Sequence, residues 1–244
     1  TVNFCCHNNN PYKAMFCTST ATWGNNEFKN KWNDTTPQGK FEVIKAVLTH
    51  NTLPQAREVV NFIFRVKGVP RWLFDYHTQV KFMTIMSIGC RDNNKLDSDV
   101  VLTDKTETNI FSDLKDLYEK ALTQDGASWQ SARSFLPQSY SHSYYFAQNL
   151  LAISNSLSSF KEFYIEEESQ NKIKKEILDL LYYRIIVNAI SEKFPLFGEY
   201  LSAMFYNFSP DNTWLINKNQ FFEKLTNMKY EDLSYLDKQY FTKD

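Results

Sequence analysis

Apolar residues at Phe41, Ile44, Val47 and Leu48 recur at helical spacing, which predicts an amphipathic helix ending near His50. Asn51 to Gln55, with Pro54 inside it, reads as a loop. The period then changes. Val60, Phe62, Phe64 and Val66 alternate within a β-branched and aromatic run from Val59 to Lys67, which predicts a strand. Gly68-Val69-Pro70 should end that strand, and Pro70 suits the first turn of a helix from Arg71 to about Met83. Ser87 to Arg91 is expected to turn, and Asp97 to Thr103 to form a short strand.

Further on, Ile110, Phe111, Leu114, Leu117, Tyr118 and Ala121 mark a helix that stops before Gly126. A short helix around Trp129 to Phe135 should end at Pro137. The last third reads as helices over about Tyr144 to Phe160, Gln170 to Lys193, Leu196 to Tyr206 and Asn219 to Met228. Glu166, Glu167 and Glu168 precede the second of these, where negative charge favours a helix start. The segment up to Gly39 is rich in Asn and Thr and only weakly periodic. There is no internal repeat and no long linker. The expectation is therefore an α+β fold, helices dominating around a small sheet, in a single domain over residues 1–244.

Composition narrows the function classes. With 27 Lys and Arg against 28 Asp and Glu, the chain lacks the basic surplus of a nucleic-acid binder, so no nucleic-acid partner is expected. Two or three placed arginines would still serve a small phosphate ligand. No apolar run reaches the roughly 18 to 20 residues that span a bilayer, and the first ten residues lack the layout of a secretion signal. Cys5, Cys6, Cys17 and Cys90 follow no disulfide pattern, so a reducing, cytoplasmic setting is the expectation. Cys5-Cys6-His7 with Cys17 lacks a CxxC pair and reads poorly as a zinc site. Cys90, between Gly89 and Arg91, has the cationic neighbour that lowers a thiol's pKa and could make it a nucleophile.

Several stretches in order resemble the flavin-dependent thymidylate synthases. They are Leu48-Thr49-His50, Glu58, the run Phe62 to Arg71, and Ala132-Arg133-Ser134-Phe135-Leu136-Pro137, with Asn149 beyond it and Ser169-Gln170-Asn171-Lys172-Ile173 after that. The resemblance spans roughly Tyr12 to Tyr206. It departs at the family's Arg-His-Arg triplet. Tyr76-His77-Thr78 or Thr78-Gln79-Val80 stands there, according to register, and either loses both arginines. The family's pyrimidine-facing Arg falls near Phe160.

The resemblance implies transfer of a one-carbon unit from methylenetetrahydrofolate to C5 of a pyrimidine nucleotide, dUMP foremost. Reduced FAD would be the hydride source and NADPH its reductant, in a cytoplasmic homotetramer. Ser87, Gly89, Arg91 and Arg133 would hold the nucleotide phosphate from neighbouring subunits, through hydroxyl, backbone N–H and guanidinium donors. Arg91 and Arg133 read equally as solvated surface charges. Ser19, His50, Glu58, His77 and Asn149 would face the flavin. His77 is either the surviving histidine of the triplet or a helix residue bonded to a backbone carbonyl. The alternative is a catalytically inactive homologue that serves as a structural or nucleotide-binding component, since core burial alone preserves a fold.

Overall fold

A computed structural model describes residues 2–21, 28–49, 53–80, 83–87, 107–124, 128, 132–136, 140–159, 182–204 and 218–242. Helices dominate, and four strands form one sheet in the order β1-β2-β4-β3. The strands are β1 (Val2–His7), β2 (Asn61–Pro70), β3 (Met83–Ser87) and β4 (Ser141–Asn149). The helices in chain order are α1 (Pro11–Ala21), α2 (Phe28–Asp34), α3 (Pro37–Thr49), α4 (Gln55–Glu58), α5 (Arg71–His77), α6 (Glu107–Leu122) and α7 (Leu150–Ser159). There follow α8 (described over residues 182–191), α9 (Pro195–Met204), α10 (Lys218–Asn227) and α11 (Tyr235–Thr242). The chain divides into two compact units. The smaller comprises Thr1–Asn3 and Phe64–Phe146, the larger Phe4–Ile63 and Ala147–Asp244.

The α+β expectation holds, with some local differences. Phe41, Ile44, Val47 and Leu48 form the buried stripe of α3, as their spacing predicts. In β2, Phe62, Phe64 and Val66 are buried, but the strand starts at Asn61 and runs on through Pro70. Gly68 stays in the strand at φ +69°, a conformation that favours glycine. The helix expected to reach Met83 stops at His77, and Met83–Ser87 is strand β3 instead. The helix expected from Tyr144 begins only at Leu150. Before it, His142, Tyr144, Phe146 and Gln148 are buried at alternate positions of β4, so the aromatic cluster obeys period two. The short helix before Pro137 is a 3-10 turn at Arg133–Phe135. The segment before Gly39, read as weakly periodic, contains β1, α1 and α2. Asp97 to Thr103 and Gln170 to Leu181 lie outside the described residues.

In the smaller unit Phe64 stacks on Phe146 at 5.0 Å, and Phe74 meets His142 and Tyr144 edge-on at 4.4 and 5.1 Å. The 3-10 turn packs against α6. In the larger unit Tyr12 lies at 4.5 Å from Phe197 and 4.9 Å from Phe241, while Phe62 and Phe194 face each other at 6.1 Å. Gly198 on α9 lies so near Ser191 that an added Cβ would meet the Ser191 Cβ at 2.4 Å. Helices α1, α4 and α7 form a packed series, α1 against α4 and α4 against α7.

Candidate functional site

The larger unit brings three of the expected flavin-side residues onto that helix series. Ser19 lies on α1, Glu58 ends α4, and Asn149 immediately precedes α7. Asn149 Oδ1 accepts from Ala152 N at 2.7 Å, so the side chain caps α7. Leu150 N donates to Val60 O at 2.8 Å, which ties the start of α7 to the residue two beyond Glu58. Glu58 is exposed and Asn149 half-buried, so a corner with a carboxylate and an amide is formed. Ser19 is different. It is fully buried, and its hydroxyl donates to Met15 O at 2.8 Å within its own helix. Neighbouring Arg57, which the sequence did not single out, is buried and donates from Nη1 to Tyr200 Oη at 2.6 Å.

The smaller unit holds the others that are described. His77 is fully buried at the end of α5, its Nδ1 2.7 Å from Tyr144 Oη. The Nδ1 side of the ring thus meets a side-chain hydroxyl inside the protein. Ser87 is exposed at the last position of β3. Arg133 opens the 3-10 turn that packs on α6. His50, Gly89 and Arg91 lie outside the described residues, as do Phe160, Cys90 and the Ser169 to Ile173 stretch.

Arg71, inside the stretch that resembles the family, is held at three points. Nε donates to Asp75 at 2.8 Å, Nη1 to Tyr140 Oη at 3.3 Å, and the guanidinium covers the Phe74 ring at 4.6 Å. Burial alone would lower its pKa, but Tyr140 and Asp75 outweigh that and raise it. Among the described residues no group of three or more His, Cys, Asp or Glu could hold a metal ion. No described helix is long and apolar enough to cross a membrane.

One buried polar residue of β4 escaped the sequence reading. Gln148 is buried, and neither Oε1 nor Nε2 has a hydrogen-bond partner. The sequence reading placed this stretch in a helix from Tyr144, where no alternation marks position 148 as buried.

No family model matches the chain, and no curated protein matches it. Solved structures do. The UMP/dUMP methylase PolB from Streptomyces cacaoi, bound with 5-Br dUMP, aligns over 83% of this chain and 94% of its own, at 14% identity and a TM-score of 0.61. Thymidylate Synthase X from Helicobacter pylori with FAD and dUMP aligns over 73% and 92%, at 14% identity and 0.55. A second structure of the flavin-dependent Helicobacter pylori enzyme, complexed with FAD and dUMP, gives 73%, 92%, 13% and 0.53. The chain therefore has the fold of these proteins.

Proposed function

We propose that the chain binds a pyrimidine nucleotide, dUMP foremost, and transfers a one-carbon unit from methylenetetrahydrofolate to C5 of its base, with FAD and NADPH as the redox partners. The observation that supports this most is the fold shared along nearly the whole length of a UMP/dUMP methylase. The corner at the start of α7 adds chemistry that suits a flat, hydrogen-bonding ring.

A flavin, when bound, supplies the hydride and the planar surface for the base. The residues of the α4–α7 corner fit such a ring in part. The Asn149 cap commits Oδ1 alone, so Nδ2 keeps two protons to donate to a ring carbonyl. Glu58, exposed beside it, accepts from a ring or ribose donor. Ser87 would donate its hydroxyl to the nucleotide phosphate and Arg133 its guanidinium, with Gly89 and Arg91 completing the turn. Such charge-assisted contacts orient the nucleotide and leave C5 to the one-carbon donor. The working form in this reading is a cytoplasmic homotetramer, each phosphate site drawing on neighbouring subunits.

A second reading, the inactive homologue that binds a nucleotide or serves as a structural component, has its own support. Ser19 and His77 are wholly buried, with the Ser19 hydroxyl and His77 Nδ1 bonded inside the protein.

Two measurements decide. Protein that purifies yellow, with a flavin spectrum, favours turnover, whereas colourless protein that takes up no added FAD favours the second reading. Ligand that binds only the native state raises the melting temperature by mass action, so dUMP should stabilise more than dCMP or dTMP. Arg133→Ala should abolish that shift, and an unchanged shift removes Arg133 from the site.

A further inference from the structure

Glu58 is exposed at the end of a helix only four residues long, so something outside α4 has to hold its direction. One turn of helix has little stability of its own. No side chain caps its start at Pro54, and its amides reach back only to Leu53 O and Pro54 O. The turn is fixed from its inner face instead. Ala56 is fully buried, and Arg57 is 6% exposed, its Nη1 donating to Tyr200 Oη of α9 at 2.6 Å. A buried guanidinium is a costly group at a position where an aliphatic side chain would pack. It does what an aliphatic one cannot, which is to bond α4 to a fixed point on another helix. Tyr200 is itself fully buried, so that point lies in the core of the larger unit. Successive helical side chains diverge by roughly 100°. Pinning Arg57 inward therefore sets the rotation of the turn and directs Glu58 outward.

We propose that Arg57 is a positioning residue: its bond to Tyr200 fixes the rotation of α4 and so aims the Glu58 carboxylate at bound FAD. The role rests on the function proposed above, in which Glu58 accepts from a ring or ribose donor. Arg57 touches no ligand in this role and acts only through its neighbour. The chain just beyond Glu58 is tied as well, by Leu150 N donating to Val60 O at 2.8 Å. Glu58 thus stands between two anchors, Tyr200 of α9 before it and the start of α7 after it. A carboxylate held in this way loses little freedom on meeting a ligand donor, which is where preorganisation adds affinity.

The test uses the full chain, with FAD affinity by equilibrium dialysis and the dUMP melting shift as control. Tyr200→Phe removes the acceptor oxygen alone and keeps the buried ring. It should weaken FAD about tenfold, the worth of one hydrogen bond, and leave the dUMP shift as in the parent. Arg57→Lys keeps a donor on a long stem and should stay nearer to the parent than Arg57→Met. The deciding measurement is a double-mutant cycle with Glu58→Ala. Where Glu58 is already gone, Tyr200→Phe should cost no further FAD affinity. An equal cost with and without Glu58 means that the bond supports the fold in general, and overturns the role. A Tyr200→Phe chain that binds FAD like the parent overturns it too, as does one that loses the dUMP shift together with FAD. In each of these cases the parent still binds FAD, and the proposed function stands. A parent that takes up no FAD removes the flavin from that function, and this role with it.

Discussion

At the residue scale, two positions carry sharp physical consequences. Gly198 has the Ser191 Cβ and Cα at 2.4 and 2.7 Å from where its own Cβ would stand. Backbone cannot retreat as a side-chain tip can, so Gly198→Ala should cost about 1 to 3 kcal/mol of overpacking, measured as a lower urea midpoint. Asp237 is the second. Desolvation raises its carboxyl pKa from the usual 3.8, and hydrogen bonds from Tyr12 Oη, Ser234 Oγ and Leu196 N only partly oppose this. Its folded-state pKa thus lies above the unfolded one, and the native state holds the extra proton in the window between them. Stability from this group is present below the ordinary carboxylate range and is lost as pH rises through the raised value. Asp237→Asn cannot titrate, and its amide cannot accept from every donor. It should be less stable than the parent at low pH, with the deficit narrowing as pH climbs through that window, read from urea midpoints across pH. A deficit independent of pH would show that Asp237 is not the titrating group.

At the element scale, side chains that reach main-chain carbonyls tether the C-terminal helices. Lys40 is buried over the Trp32 ring at 4.4 Å and donates to Phe241 O at 2.9 Å. Asn10 donates to Tyr240 O at 2.6 Å, and Lys45 donates to Thr226 O and Met228 O at 3.2 and 2.9 Å. Cations at helix C-termini satisfy carbonyls that the helix itself leaves open. Lys40→Met removes such a bond while preserving bulk. It should cost about 1.5 to 3 kcal/mol and speed amide exchange in α11 before the rest of the larger unit. Uniform acceleration across the unit would count against a local role. None of these tethers could be read in advance, since each joins residues far apart in sequence. The hydroxyls of Thr18, Ser19 and Thr20 hid α1 in another way. Each bonds a carbonyl of the preceding turn, so a polar Thr-Ser-Thr run sits inside a helix. β4 was misread because Tyr144, Tyr145 and Phe146 fit either period, and only burial at alternate positions decides between them. α3 and β2 were legible because their apolar spacing admits one period each.

At the scale of the whole molecule, the fold was visible through ordered short motifs, although the identities with the solved structures of that fold are near 14%. Core patterning alone preserves a fold, so the fold is compatible with a chain that lacks the Arg-His-Arg triplet. Glu58 and Asn149 stand at the ends of adjoining elements, which the short motifs could not show, and the burial of Gln148 likewise needed coordinates, because burial is a property of space and not of spacing. The expected homotetramer remains a proposal, and surface chemistry gives a way to test it. The smaller unit exposes Tyr76, Met86, Leu117, Phe135 and Tyr145, with Arg65 placed 5.6 Å over the Tyr145 ring. Strands β2 and β4 bury one face, and none of the four strands carries an Asp or Glu. Of the exposed groups, Met86 on β3 and Tyr145 on β4 lie on a sheet whose strands carry no negative charge, which favours association over solvation. The proposed homotetramer predicts four chains per particle in light scattering. Tyr145→Glu, placed at an exposed position, should leave the circular dichroism unchanged, shift the particle to fewer chains, and weaken dUMP binding if subunits share the phosphate site. A parent that scatters as a single chain and still binds dUMP would place the complete site within one protomer.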